Sequence, residues 1–230
     1  MTDLASRLAA VKAKVATSAR AAGRNPDDVR LIAVSKVQPL EMVVEAWHLG
    51  VRDFGENTAQ SLKERADAFG ERGLKPVRWH MIGALQRNKA KLVAPRAYAV
   101  HSVDRLELGE ALAKRAPEHG LNVLIQVNVG REPQKSGVDP DEAGLLAESI
   151  RGLEGLHLRG LMAIPPAEGD PDAYFEQLKG LFDEMCDEGM GESFTELSMG
   201  MSGDYERAIA FGATQVRVGT AIFGDRPRKV

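Results

Sequence analysis

The sequence predicts an α/β protein, a (β/α)8 TIM barrel of parallel strands with an N-terminal helix ahead of it. Short apolar segments alternate with longer amphipathic ones from Val29 to the C-terminus, and that order calls for a parallel sheet. Eight such units, with no long insertion in 230 residues, suit a compact closed barrel better than an open doubly wound sheet. The length and a hydrophobic content of 43% are enough for one large core, so a single domain over residues 1–230 is expected.

Leu4, Leu8, Val11 and Val15 recur at helical spacing behind a possible Thr2 cap, which predicts a docking helix rather than a signal peptide. Strands are then expected at 29–35, 51–55, 78–82, 97–102, 122–127, 156–162, 196–199 and 215–218, where β-branched and aliphatic residues cluster between turn formers. Helices are expected between them at 40–49, 59–69, 88–93, 105–115, 141–151, 173–188 and 204–211. No run approaches the apolar length that spans a bilayer. A net charge of -3 argues against a general nucleic-acid or anionic-membrane surface, and the small basic tail Arg226-Pro227-Arg228-Lys229 reads as solvated. Cys186 is the only cysteine, which excludes an intramolecular disulfide and any cysteine-rich zinc site. A monomer in a reducing cytoplasm is expected.

In a barrel of this kind the C-terminal ends of all strands share one rim, where sites are built. That rim collects Lys36 after strand 1, Glu56 and Asn57 after strand 2, His80 on strand 3, and Asn128 with the loop 130–140 after strand 5. Strand 6 adds Ile164-Pro165-Pro166. The stretch "SMGMSGD" follows strand 7, placing Ser202 and Gly203 just before a helix, where backbone N–H groups can converge on an anion. "RVGTAIFG" supplies Gly219 and Thr220 after strand 8, and loops after strands 7 and 8 often hold a phosphate in this fold. Alternation on strand 8 turns Gln215, Arg217 and Gly219 inward. Arg217 then either pairs with a neighbour such as Glu196 or points at a ligand acceptor. Lys36 ends the apolar run "LIAVSK" and either reaches solvent or presents its amine at the barrel mouth. A phosphate, a hydrogen-bond acceptor and a carbonyl that meets an amine are together supplied by pyridoxal 5'-phosphate.

The segments "AVSK", "FGEN", "WHMIGALQRNK", "VNVGREPQKSG", "GLMAIPP", "SMGMSGDYERAI" and "VRVGTAIFG" occur in order between Ala33 and Gly224. Together they resemble the pyridoxal phosphate homeostasis protein family, whose fold is similar to the N-terminal barrel domain of alanine racemase. The resemblance implies that Lys36 forms the Schiff base, that Ser202, Gly203, Gly219 and Thr220 line the phosphate, and that Arg217 meets the pyridine nitrogen. It also implies that Asn57 and His80 lie beside the ring. Met81 departs from the pattern, standing where an aromatic residue is usual after "WH".

An arginine at the pyridine nitrogen disfavours protonation there and suits limited chemistry. Racemisation would need a second acid/base, which alanine racemases supply as a tyrosine from an additional domain. This sequence shows no such domain before Val230, and Tyr98, Tyr174 and Tyr205 fall on a strand start and two helices. The expectation is a non-catalytic carrier that holds the cofactor and passes it to apo-enzymes that use it; a single-domain amino-acid racemase is the alternative. His48, His119 and His157 lack metal-ligand spacing. Lys135 is read as a solvated loop lysine or a second amine near the site, Arg87, Lys89 and Lys91 as a solvated face, and Met199 and Met201 as packing near the site.

Overall fold

The computed structural model describes residues 3–224. Eight parallel strands close into a barrel in sequence order, β1 to β8. They are β1 Arg30–Val34, β2 Asp53–Glu56, β3 Arg78–Met81, β4 Ala99–Val103, β5 Leu121–Val127, β6 Leu156–Ala163, β7 Glu196–Ser198 and β8 Gln215–Val218. Closure comes from β1 pairing with β8 in the register Arg30↔Gln215 to Ala33↔Val218. The helices around it are α1 Leu4–Ala21, α2 Leu40–His48, α3 Ala59–Glu71, α4 Ala90–Val93, α5 Leu106–Ala113, α6 Ala143–Arg151, α7 Pro171–Asp187, α8 Tyr205–Ala210 and α9 Thr220–Phe223.

The two faces of the sheet differ in chemistry because side chains alternate across each strand. Outward residues such as Ala33, Phe54, Trp79, Val100, Val123, Leu161, Leu197, Val216 and Val218 join the buried faces of the helices in one apolar layer. Phe54, Phe69 and Trp79 meet at centroid distances of 5.1 to 6.0 Å and fix α3 against β2 and β3. The inward face is mixed. Asp53, His80, His101, Glu196, Ser198, Gln215 and Arg217 are buried there beside aliphatic residues such as Ile32. At the N-terminal end of the barrel Arg30 and Arg78 each stand 5.6 Å from the ring centre of Tyr98.

Helix α1 buries Leu4, Leu8, Val11, Val15 and Ala19 along one stripe and packs on α8 and α9. Asp3 caps it, accepting from the Ser6 N–H at 2.7 Å; Thr2 and the basic tail at 226–229 lie outside the described residues. Arg7 donates to the carbonyls of Ile222 and Phe223, and Arg24 to those of Ile209 and Ala213. Both arginines therefore tie the N-terminal segment to carbonyls at or just past the C-terminal ends of the helices that follow β7 and β8.

Boundaries differ from expectation where local chemistry competes. The segment expected as a helix at 88–93 divides into a 3-10 turn at Arg87–Lys89 and the single turn of α4. Helix α7 starts at Pro171 rather than 173, because Asp170 caps it and proline fits the first helical position. Strand β4 starts at Ala99 rather than 97, which leaves Tyr98 ahead of the strand, and its pairing with β5 shifts register between Val100 and Val103.

Candidate functional site

Strand β1 feeds directly into Lys36. The ladder extends one residue past β1 through the Ser35 N–H, which donates to the Gly55 carbonyl at 3.0 Å. Val37 then turns sharply with φ of 57° and is 60% exposed. A β-branched residue in this region is strained by roughly 1–2 kcal/mol, so neighbours must hold the turn. Arg65 of α3 does so: its Nη2 donates to the carbonyls of Ser35 at 3.2 Å and Gln38 at 2.6 Å. Its Nε pairs with Glu56 Oε1 at 2.7 Å, and the Ser35 hydroxyl donates to the same oxygen at 2.6 Å. Burial pushes the Glu56 carboxyl up, against the opposing pulls of Arg65, the Ser35 hydrogen bond and the charge of Lys36. Arg65, which the sequence reading passed over, and Glu56, which it placed at the rim without a role, thus brace the backbone on both sides of Lys36.

Lys36, Asn57, Ser202, Gly203, Arg217, Gly219 and Thr220 line one cavity of about 290 Å³ at the C-terminal rim. Val34, Ile82, Ile164 and Met201 form its apolar walls. Seven of the eight residues predicted from sequence meet in this space. Two side-chain cations and two hydroxyls face it with no carboxylate on the lining, a donor set that favours an anionic ligand with a flat apolar body. Asn57 Oδ1 is buried and without a partner.

The two glycine loops are built to approach each other. Gly200 has φ of 89°, and a Cβ there would stand 2.6 Å from Ala208 Cβ, so only glycine admits the turn into α8. Ser202 Oγ accepts from the Gly219 N–H at 3.1 Å and the Ala221 N–H at 3.5 Å, joining loop 7 to loop 8. A Cβ on Gly219 would lie 3.3 Å from the Val34 carbonyl, so loop 8 sits directly against β1. At Gly203 a Cβ would meet nothing within 4 Å. The loops therefore offer hydroxyls and backbone N–H groups around an open space.

Arg217 is 3% exposed. It does not pair with Glu196, which binds Arg30 at 3.2 Å. Its Nη1 donates to Ser198 Oγ at 2.7 Å and its Nη2 to the Ala163 carbonyl at 2.8 Å. Burial lowers its pKa to about 10, opposed by Asp204, and it remains a cation at neutral pH. Its other N–H groups are available to a ligand.

His80 is not brought to the cavity. It lies fully buried in the barrel interior, with Nε2 3.0 Å from Asp53 Oδ1 and Nδ1 2.9 Å from His101 Nε2. Ile82, two residues on, takes the inward place that lines the cavity. Lys135 is also held away, paired with Glu132 at 2.5 Å and donating to the Pro165 carbonyl at 3.4 Å. Met201 lines the cavity, whereas Met199 packs in the sheet–helix layer. His157 binds the His119 carbonyl at 3.1 Å, and no cluster suited to a metal ion occurs among the described residues. Ser198 and His101 were not singled out from sequence, although inward alternation on their strands marks both as polar residues facing the lumen.

Fold and cavity define a class: closed α/β barrels that gather two glycine loops and a lysine around one cavity at the C-terminal rim. Residues 6–227 match the family model for the alanine racemase N-terminal domain. Within that group the chain belongs to the pyridoxal phosphate homeostasis protein family. It is 43% identical over 228 residues to the pyridoxal phosphate homeostasis protein of Pseudomonas aeruginosa, covering 98% of this chain and 97% of that one. Identity to the protein of the same name from Escherichia coli K12 is 41% over 231 residues, with 98% of each chain covered. Among solved structures, PipY of Synechococcus elongatus with pyridoxal phosphate bound superposes with a TM-score of 0.83 at 34% identity, covering 96% of this chain and 100% of that one.

Proposed function

We propose that this protein holds pyridoxal 5'-phosphate in the rim cavity and delivers it to apo-enzymes that need it, as a cytoplasmic monomer without turnover of its own. The observation that carries the reading is the convergence of Lys36, Arg217 and both glycine loops on one cavity. The names of the relatives and the ligand in the PipY structure support the same ligand.

When bound, the group supplies an aldehyde that condenses reversibly with an amine. Lys36 provides that amine, set at the mouth by the Arg65–Glu56 brace. Ser202, Gly203, Gly219 and Thr220 take the phosphate through hydroxyl and backbone donors. Arg217, able only to donate, faces the ring nitrogen and leaves it unprotonated. Asn57 closes the side of the ring, and the apolar walls exclude water from its faces.

The placement of the tyrosines favours a carrier over a racemase. Tyr98 stands beside Arg30 and Arg78 at the opposite end of the barrel, and Tyr174 and Tyr205 belong to α7 and α8. None lines the cavity that holds Lys36. The test begins with borohydride reduction of protein incubated with pyridoxal phosphate, followed by peptide mapping. A reduced adduct on Lys36 is expected; an adduct elsewhere, or none, overturns the reading. Delivery is measured as reactivation of an apo-enzyme by loaded protein compared with an equal amount of free cofactor. Sustained racemisation of alanine by the loaded protein would overturn the carrier reading.

A further inference from the structure

A continuous chain of side chains runs through the lumen from Arg217 to the far end of the barrel. Arg217 Nη1 donates to Ser198 Oγ at 2.7 Å. Ser198 Oγ lies 3.0 Å from His101 Nδ1, His101 Nε2 lies 2.9 Å from His80 Nδ1, and His80 Nε2 lies 3.0 Å from Asp53 Oδ1. Asp53 is anchored in turn by Arg78 through Nε at 2.7 Å and Nη2 at 2.6 Å. Ser198, His80 and His101 are entirely inaccessible to solvent. Nothing in the cofactor reading requires such a chain, since neither imidazole reaches the cavity.

Its ends fix its direction. An arginine can only donate and a carboxylate can only accept. Asp53 therefore takes the Nε2 proton of His80, which leaves His80 Nδ1 as an acceptor for the Nε2 proton of His101. His101 Nδ1 then accepts from the Ser198 hydroxyl, and Ser198 Oγ is left to accept from Arg217. Each proton has one acceptor. Protonating His80 would reverse the middle of the chain, leave the Ser198 proton without an acceptor and add a second buried cation to that of Arg217.

We propose that Ser198, His101 and His80 are positioning residues, a strut of single polarity that holds the guanidinium of Arg217 aimed at the ring nitrogen of the bound cofactor. The Ala163 carbonyl fixes the other prong at 2.8 Å, so the fork is set at two points and cannot swing toward the phosphate loops. The strut rests on the cofactor reading above for its effect at the ring, but its hydrogen-bond direction is independent of any ligand.

Two measurements test it. Long-range nitrogen–proton NMR of the ligand-free protein at neutral pH reports the imidazole tautomers. Both His80 and His101 are expected as the Nε2–H form; an Nδ1–H form, or a charged ring, at either one overturns the strut. The second measurement loads wild type, Ser198→Ala, His101→Leu and His101→Asn with pyridoxal phosphate. Ser198→Ala and His101→Leu are expected to release it about tenfold more readily and to shift the visible band of the loaded protein. His101→Asn, whose amide oxygen restores an acceptor to Ser198, is expected to recover the wild-type band. Unchanged affinity and spectrum in Ser198→Ala, or no recovery in a folded His101→Asn, refutes positioning. Failure of wild type itself to load would instead refute the cofactor reading while leaving the tautomer result standing.

Discussion

Replacing Arg65 by methionine removes the brace beside Lys36 and strands a carboxylate. The side chains of Glu56 and Arg65 are 1% and 11% exposed, and breaking a buried pair from one side typically costs about 3–5 kcal/mol. Glu56 can escape by taking a proton, which caps the charge penalty. From an ordinary value of 4.5, protonation at pH 7 costs about 3.4 kcal/mol, whereas at pH 5 it costs about 0.7 kcal/mol. The carbonyls of Ser35 and Gln38 also lose a donor, adding about 1 kcal/mol in total once water replaces part of the loss. The sign follows from linkage: without Arg65 the folded-state pKa of Glu56 rises further, so the variant is penalised most above that value and recovers as the pH falls toward 4.5. Because Glu56 is already raised in the wild type, these sums are ceilings: urea unfolding of wild type and Arg65→Met should differ by at most about 4 kcal/mol at pH 7 and about 2 kcal/mol at pH 5. Adding Glu56→Gln should abolish the pH dependence of that difference. A penalty below about 1 kcal/mol at pH 7, or one that is the same at both pH values, refutes the brace.

Lys36→Ala should abolish the borohydride-fixed adduct while leaving the melting temperature within a few degrees, because neither the outer layer nor the phosphate loops are touched; retention of the adduct would move the site to another amine. Burial lowers the pKa of His80 and pushes that of His101 well below its ordinary 6.5, His80, Arg217 and Arg30 adding to the effect at His101. The unfolded chain then binds protons that the folded one refuses, so stability should be level above pH 6.5 and fall below it, by up to about 1.4 kcal/mol per pH unit for each imidazole. Asp53 adds a loss at lower pH: burial raises its pKa, but bonds from His80 and Arg78 win and hold it at about 2, so its contribution disappears between 3.8 and 2. Urea titrations across this range check both, and stability that rises from pH 6.5 to 5 would contradict neutral imidazoles. Gly83→Ala places a Cβ 2.1 Å from the Asn57 carbonyl and must displace the backbone that carries Asn57. Weaker cofactor retention is expected, measured by dialysis of the loaded protein; unchanged retention would remove Asn57 from the site.

The barrel and most of its rim were legible because each depends on short-range pattern. Strand–helix alternation announces the parallel sheet, and a strand that ends in lysine, or in glycine followed by a hydroxyl, announces its own rim position. The depth of a side chain inside the lumen is a different matter. His80 and Ile82 both point inward by alternation, and which of them reaches the cavity depends on how β3 is staggered against β2, where Gly55 pairs with His80 and Glu56 with Met81. That stagger is set by contacts far apart in sequence. The choice between the two readings of Arg217 was closed for the same reason: Glu196 is the nearer acidic residue on paper, but Arg30 of β1 reaches it instead, which removes the ion-pair alternative.

The sheet is one peptide unit thick, yet its two sides answer to different demands. Adhesion between strands and helices is carried by the outward apolar layer, whereas the inward residues carry charge, tautomer and direction. Inheritance can therefore act on the lumen as on a cartridge, rewriting a few inward positions to suit another ligand while the outer packing that makes the chain fold is passed on unchanged.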